Sequence, residues 1–256
     1  MGRYDGKVVA LTGVASGMGR ASAIRIASEG GTVFGMDINA EGLAATAAQI
    51  TDAGAGAGAG GTITTRVTDI SDHTECAAAI QECVDTHGRL DVLGNFAAIS
   101  WMRNTPDVTF EEWRRMFAIN VDGTYFMCQA ALPHVLAAEG NIVNIASNAA
   151  SMGQAYLAPY CATKGAVAQL TRALAMEYVK QPIRINAIAP GGTDTAMNAN
   201  YELAADTDFD LMQAAMGHRG FGQPEDIAAL FAFLASDDAG NIHGSIINSD
   251  NGLTAS

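Results

Sequence analysis

Tyr160 and Lys164 stand four residues apart in a segment whose Ala162, Ala166, Val167, Leu170 and Leu174 form an apolar helical stripe, so a phenol and an ammonium share one helix face. A phenol titrates near ~10 when unperturbed and is a weak base at neutral pH. Two unit charges at ~4 Å, with an effective dielectric of ~20, attract by about 4 kcal/mol, which lowers a pKa by up to ~3 units before desolvation takes some back. Lys164 therefore predicts a Tyr160 poised near neutrality, against the opposing field of a chain with net charge -13. Ser147, thirteen residues before Tyr160, offers a hydroxyl to the same reacting oxygen. A Tyr and a Lys at this spacing also occur as a solvated pair on ordinary helices, so the rest of the chain has to decide between the two readings.

The chain has 256 residues, 49% hydrophobic and 16% charged, a globular composition long enough for one sizeable core. No apolar run of about 18 residues and no charged-then-apolar leader is present, which predicts a soluble, cytoplasmic protein with no membrane partner. Fourteen Lys and Arg against 27 Asp and Glu argue against a nucleic-acid partner. The adjacent pair Arg114 and Arg115 reads as a solvated helix face. Cys76, Cys83, Cys128 and Cys161 show no metal-ligand spacing. Cys76 and Cys83, seven apart on one helix, lie roughly 10 Å apart along its axis, too far for a disulfide. Reduced thiols and no metal are expected.

The elements that must position the reactive groups alternate. Apolar runs at residues 7–12, 32–37, 62–67, 90–96, 141–146, 183–188 and 245–248 read as strands. Helical patterns fall at 17–29, 41–52, 72–87, 109–138, 159–179 and 224–235, with capping boxes at Asp72/Glu75 and Thr109/Glu112 and an interruption expected near Pro133. The Ala/Gly alternation at 53–61 reads as a flexible surface loop. Apolar strands alternating with helices imply a mostly parallel sheet of about seven strands covered on both faces, an α/β, doubly wound architecture in a single domain over residues 1–256. Residues 191–217 are irregular and read as a lid over a bound substrate.

Ligands of such sheets sit beyond the carboxyl ends of the strands. Between the first strand and first helix lie Gly13, Ser16, Gly17, Met18 and Gly19, a turn whose glycines let the backbone approach a pyrophosphate at a helix N-terminus. Asp37 follows Gly19 by eighteen residues at the end of strand two, close to the ~20 expected for the acid that holds the adenosine ribose. A carboxylate there repels a 2'-phosphate, and Ser16 stands where a compensating base would be. The reading is NAD, preferred over NADP.

Thr12-Gly13-x3-Gly17-x-Gly19, Asp69-Ile70, Asn95-x-Ala97, Asn120, Ser147, Tyr160-x3-Lys164 and Pro190-Gly191 together resemble the short-chain dehydrogenase/reductase family over essentially the whole chain. The resemblance implies a Rossmann-like fold and a hydride-transfer enzyme. In it Tyr160 exchanges the proton with the substrate oxygen, Lys164 lowers its pKa and binds the nicotinamide ribose, Ser147 holds the oxygen, and Asn120 binds a relay water. The resemblance also implies Asp69 and Ile70 at the adenine, Asn95, Ala97 and Pro190 along the cofactor, Thr193 and Thr195 at the carboxamide and phosphates, and a homotetramer built through the long helices and last strand.

The chain departs from the family pattern in three places. Asn95-Phe96-Ala97-Ala98 replaces the usual Asn-Asn-Ala-Gly, Gly94 stands where a branched residue is usual and would make room for Phe96, and Asp250-Asn251-Gly252 replaces Asp-Gly-Gly. Trp101, Met102, Met152, Tyr156, Met197 and Tyr201 are the candidate substrate-pocket residues. Pliable Met with aromatics, and no nearby base, suggest a largely apolar small-molecule alcohol or ketone. Two alternatives stand beside an NAD-dependent secondary-alcohol dehydrogenase: a 3-oxoacyl thioester reductase, expected to prefer NADPH, and a non-catalytic NAD sensor motivated by Phe96 and Ala98.

Overall fold

In the computed structural model, residues 2–57, 60–195, 197, 201, 207–213 and 219–255 are described, with backbone only for 54–57. Seven parallel strands form one sheet: β1 Val8–Thr12, β2 Thr32–Asp37, β3 Thr62–Val67, β4 Val92–Asn95, β5 Asn141–Ile145, β6 Arg184–Pro190 and β7 Ile246–Ser249, in the order β3-β2-β1-β4-β5-β6-β7. Side chains alternate across the pleat, so Val8 and Ala10 join one core layer and Val9 and Leu11 the other. The central strands β1, β4 and β5 are buried throughout. The expected α/β, doubly wound, Rossmann-like architecture is the one found.

Helix α1 (Gly17–Ser28) and helix α8 (Pro224–Leu234) bury Ala23, Ile26, Ile227 and Phe231 in one layer, joined by Leu43 and Ile50 of α2 (Ala40–Ala57). Helices α3 (His73–His87) and α5 (Thr124–Ala137) bury Ile80 and Met127 in the other. The remaining helices are α4 (Phe110–Phe117), α6 (Ala158–Glu177) and the short α7 (Phe209–Gln213). The sheet order reverses between β1 and β4, so their carboxyl ends open a crevice there.

Four local expectations need correction. Helix α2 runs on to Ala57 instead of ending before the Ala/Gly stretch, because each added residue of a started helix gains a bond and Ala is the best helix former. At α3 the Asp72 carboxylate accepts from Thr74 N, without the reciprocal Glu75 bond of a capping box. The break in the long helical stretch lies at a π-helical segment, Ala118–Gly123, while α5 passes through Pro133. The space at Gly94 is filled from the other side of the core: a methyl there would come within 2.5 Å of Leu11 Cδ2 and 2.8 Å of Phe231 Cε2, and Phe96 packs edge-on to Phe231 at 5.0 Å between centroids.

The capping box of Thr109 and Glu112 is formed, and Asn251 takes the turn at φ +56. Cys76, Cys83 and Cys128 are buried free thiols, pushed up by burial to about 11, 12 and 12. No helix among the described residues is long and apolar enough to cross a membrane. Within the segment 191–217, residues 196, 198–200, 202–206 and 214–217 lie outside the described residues.

Candidate active site

Strand β1 hands the chain to α1 through Gly13 and Gly17, both at positive φ. The turn packs backbone against backbone: a methyl on Gly13 would lie 2.8 Å from Ala97 N, and one on Gly19 would lie 2.1 Å from Gly13 O. Thr12 Oγ1 accepts from Ala97 N at 3.0 Å, fastening β1 to the residue pair after β4. Ser16 caps α1 by position with no side-chain bond, and the first turn carries no acid, so the helix-start amides remain available to an anion. Asp37 accepts from Ala15 N and Asn39 N, each at 3.0 Å, which holds its carboxylate against the glycine turn. Arg20, on the first turn of α1, is turned under the glycine turn, donating to Ala15 O and to Thr46 Oγ1. These donors, the close backbone approach and the strand-end acid fit a dinucleotide.

Gly13, Ser16, Gly17, Met18, Gly19, Asp37, Asp69, Ile70, Ala97 and Thr195 line one groove. Asn95 does not. It is buried in the core, where it donates to Asn144 Oδ1 at 2.8 Å and to Cys128 Sγ at 3.3 Å. Arg115, expected to be merely solvated, lines the groove as well. Asp69 is held low first by its Ser71 hydrogen bonds and further by the Arg115 charge.

Lys164 belongs to the buried stripe of α6 with Thr163, Val167, Ala168 and Thr171, so the fold draws its ammonium inward. Its Nζ donates to Ile145 O, the last carbonyl of β5, at 2.8 Å, and Asn144 Nδ2 donates to Thr171 Oγ1 at 3.0 Å. These two bonds fix α6 to the strand that ends beside Ser147. Ser147 Oγ accepts from Ala149 N at 3.1 Å and donates to Asn148 Oδ1 at 3.2 Å. Lys164 Nζ sits 5.6 Å from the centroid of the Tyr160 ring.

The expected near-neutral phenol is not what this geometry gives. Burial dominates and pushes Tyr160 up, Tyr201 adds to the rise, and the Ser147 hydroxyl opposes it; burial also pushes Lys164 down to about 8. Desolvation of both partners outweighs the attraction within the pair.

Asn120, in the π-helical segment, uses its side chain fully. It donates to Ile99 O at 2.9 Å and Thr163 Oγ1 at 3.1 Å, and it accepts from Ile99 N at 2.9 Å. The amide thus ties the chain after β4 to the residue before Lys164.

Ser147, Tyr160 and Lys164 open into a cavity of about 340 Å³ walled also by Pro190, Thr193, Met102, Met197 and Tyr201. Among the described residues, Trp101, Met152 and Tyr156 are not part of the wall. Tyr156, at φ +66, instead acts as a tie: its carbonyl accepts from Arg103 N and its Oη accepts from Asp208 N, both at 2.9 Å. The cavity also takes Asn148, Gln154, Met212 and Phe221, which the sequence reading passed over. Proximity to Ser147 was the available signal for the first two. No cluster of three or more His, Cys, Asp or Glu among the described residues could hold a metal.

A family model described as enoyl-(acyl carrier protein) reductase matches residues 13–254. Meso-2,3-butanediol dehydrogenase of Serratia marcescens is 37% identical over 254 residues, 99% of this chain and 97% of that protein. Among solved structures, a short chain dehydrogenase from Mycobacterium paratuberculosis bound to NAD superimposes with a TM-score of 0.91 at 29% identity, covering 100% of both chains. A 3-ketoacyl-(acyl-carrier-protein) reductase from Brucella melitensis complexed with NADH gives 0.85 at 31% identity, covering 98% of this chain and 99% of that one.

Proposed function

The chain belongs to the short-chain dehydrogenase/reductase family, and from that premise we propose that it interconverts a secondary alcohol and its ketone on a small uncharged molecule, with NAD as cofactor. The observation that carries this reading is the shared wall. Met18, Phe96, Ala98, Thr195 and Met197 line both the glycine-turn groove and the cavity that holds Ser147, Tyr160 and Lys164.

When bound, NAD would supply the acceptor for the hydride of the carbinol carbon, or its source in the reverse direction. Tyr160 takes the hydroxyl proton during oxidation and gives it back during reduction. Ser147 holds the reacting oxygen through its hydroxyl. Lys164, fixed by Ile145 O, holds positive charge over the phenol ring, where it favours the phenolate as the proton moves. Asn120 acts as a positioning residue for Thr163 and Ile99, since its side chain is already bound to both. Thr193 and Thr195 would hold the cofactor's carboxamide and phosphates, and Asp37 would hold the adenosine ribose and disfavour a 2'-phosphate.

Residues 1–256 act as one dinucleotide-binding and catalytic domain in the cytoplasm. The exposed Phe110, Trp113 and Tyr125 of α4 and α5 and Met176 of α6 support a homotetramer.

A second reading, a 3-oxoacyl thioester reductase, is favoured by the likeness to the Brucella reductase, whose NADH complex removes cofactor choice as a discriminator. Reduction of an acetoacetyl thioester separates the two. The sensor reading rests on Phe96 and Ala98, and NADH formation with a panel of secondary alcohols separates it from an enzyme.

Tyr160→Phe tests the assignment directly. Turnover with any alcohol or ketone should fall by about 10²–10⁴ while NADH binding, read by fluorescence titration, is kept. Turnover close to wild type in that variant would remove Tyr160 from the reaction.

A further inference from the structure

The substrate cavity is apolar over most of its surface, but one patch next to the reacting oxygen is not. Ser147 Oγ donates to Asn148 Oδ1 at 3.2 Å, and Gln154 Nε2 donates to the same oxygen at 3.0 Å. In this arrangement two donors meet on Oδ1, which aligns the two carboxamides with each other. Asn148 is 3% exposed, and its Nδ2 is buried with no partner among the described residues. Gln154 is half-buried and lines the cavity; with its Nε2 engaged, its Oε1 is left as an acceptor with no partner among the described residues. The pair therefore leaves one donor and one acceptor unused beside the catalytic serine, in a site where unpaired polar groups are costly.

Resting on the oxidoreductase reading above, the geometry points to Gln154 as a specificity-determining residue that accepts a hydrogen bond from a second hydroxyl on the substrate. That hydroxyl is carried by the carbon next to the reacting one. The substrate class is then a small, uncharged vicinal diol and its α-hydroxyketone, not a simple alcohol. Three observations agree. Gln154 is linked to Ser147 through a single intervening oxygen, so the two groups can touch neighbouring oxygens of one small molecule. The rest of the wall, with Met102, Leu157, Met197 and Phe221, offers apolar contact to the carbon skeleton. Lys164 is the only charged side chain among the described residues of the wall, and it already donates to Ile145 O, so neither a carboxylate nor a phosphate on the substrate finds a dedicated partner. A hydroxyl, which donates, matches the acceptor that Gln154 leaves open; an apolar substituent leaves it unpaired, and sites built this way discriminate against the analogue lacking the group.

The test compares NADH-dependent reduction of acetoin, butanone and the O-methyl ether of acetoin by the full-length enzyme. These share a four-carbon ketone chain and differ in whether the carbon next to the carbonyl bears an oxygen and whether that oxygen carries a hydrogen to donate. The wild type should favour acetoin over butanone by ten-fold or more in kcat/KM, the size of one well-formed hydrogen bond at about 1.4 kcal/mol per decade. It should also favour acetoin over the methyl ether. Gln154→Met, of similar length and without the acceptor, should bring the acetoin-to-butanone ratio toward one. A wild-type ratio near one with butanone turned over overturns the inference and leaves the oxidoreductase reading standing. An acetoin preference kept by the methyl ether or by Gln154→Met overturns the role of Gln154. No oxidation of NADH with any ketone overturns both. The methyl-ether comparison needs only the wild type, so the role stays testable if Gln154→Met fails to fold.

Discussion

The two walls of the substrate cavity are built on different principles. On one side, Ser147 and Lys164 are 7% and 3% exposed and are bound to β5 and α6 by the Lys164–Ile145 and Asn144–Thr171 bonds. On the other, Met197, Tyr201, Met212 and Phe221 come from the stretch after β6, where Phe209, Leu211 and Phe221 are 65%, 56% and 48% exposed. Among the described residues its ties include Tyr201 Oη to Ser100 Oγ at 2.8 Å, Asp208 N to Tyr156 Oη at 2.9 Å, and the bridge between Thr193 and Gly222. Reaction geometry is thus part of the buried core, while substrate contact sits partly on a more exposed stretch outside it. One wall can change its ligand without disturbing the chemistry of the other.

Removing the ammonium should give the largest effect and should be felt in both stability and rate. Burial holds Lys164 at about 8 when folded against 10.5 as the ordinary value, so between those pH values the unfolded chain binds more protons than the folded one. Wild-type stability should therefore rise with pH across this window and fall back as pH drops through about 8. Lys164→Met lacks this dependence. The two urea-unfolding curves should diverge by up to about 3 kcal/mol between pH 8 and 10.5, and kcat of the variant should fall by about 10²–10⁴. Parallel stability profiles would mean that Lys164 is not buried in its charged form.

The difference between the walls also decides what a reader of the sequence could see. The core side was legible because its signals are periodic or local: the α6 stripe carries Lys164, the glycines mark where Ala97 and Gly13 meet, and Asp37 ends an apolar run. What escaped depends on contacts remote in sequence. Phe231 lies 135 residues from Phe96 and takes the space that Gly94 leaves, which no local pattern announces. The π-helical turn at Ala118–Gly123 has no composition of its own, so Pro133 drew the expected break instead. Trp101 and Tyr156 were chosen by residue type, yet the backbone at Tyr156 turns left-handed and sends its hydroxyl to Asp208 N. Residue type predicted polarity well and direction poorly.

A smaller effect is expected at Asp37, which the dinucleotide groove holds by two backbone amides. Asp37→Ala removes the repulsion of a 2'-phosphate and the anchor of the glycine turn together. The ratio of kcat/KM for NAD+ over NADP+ should fall ten- to a hundred-fold, about 1.4–3 kcal/mol for a charge pair near the surface. NADPH preference in the wild type, or an unchanged ratio in the variant, would place the selectivity elsewhere in the groove, with Arg115 the next residue to examine.

The smallest effect separates the two walls most cleanly. Tyr201→Phe deletes the bond to Ser100 and nothing from β5 or α6. A neutral hydrogen bond contributes about 0.5–1.5 kcal/mol net, so KM for the ketone should rise about two- to ten-fold. Burial holds the Tyr201 phenol high and therefore uncharged across the assay range. Its removal should then leave the pH profiles of alcohol oxidation and ketone reduction unmoved, because no charge is lost beside Tyr160. A rise in KM with unmoved profiles restricts Tyr201 to holding its wall in place, and the two sides of the cavity are then independent. A profile that moves with the rise in KM would mean that one wall tunes the proton chemistry of the other.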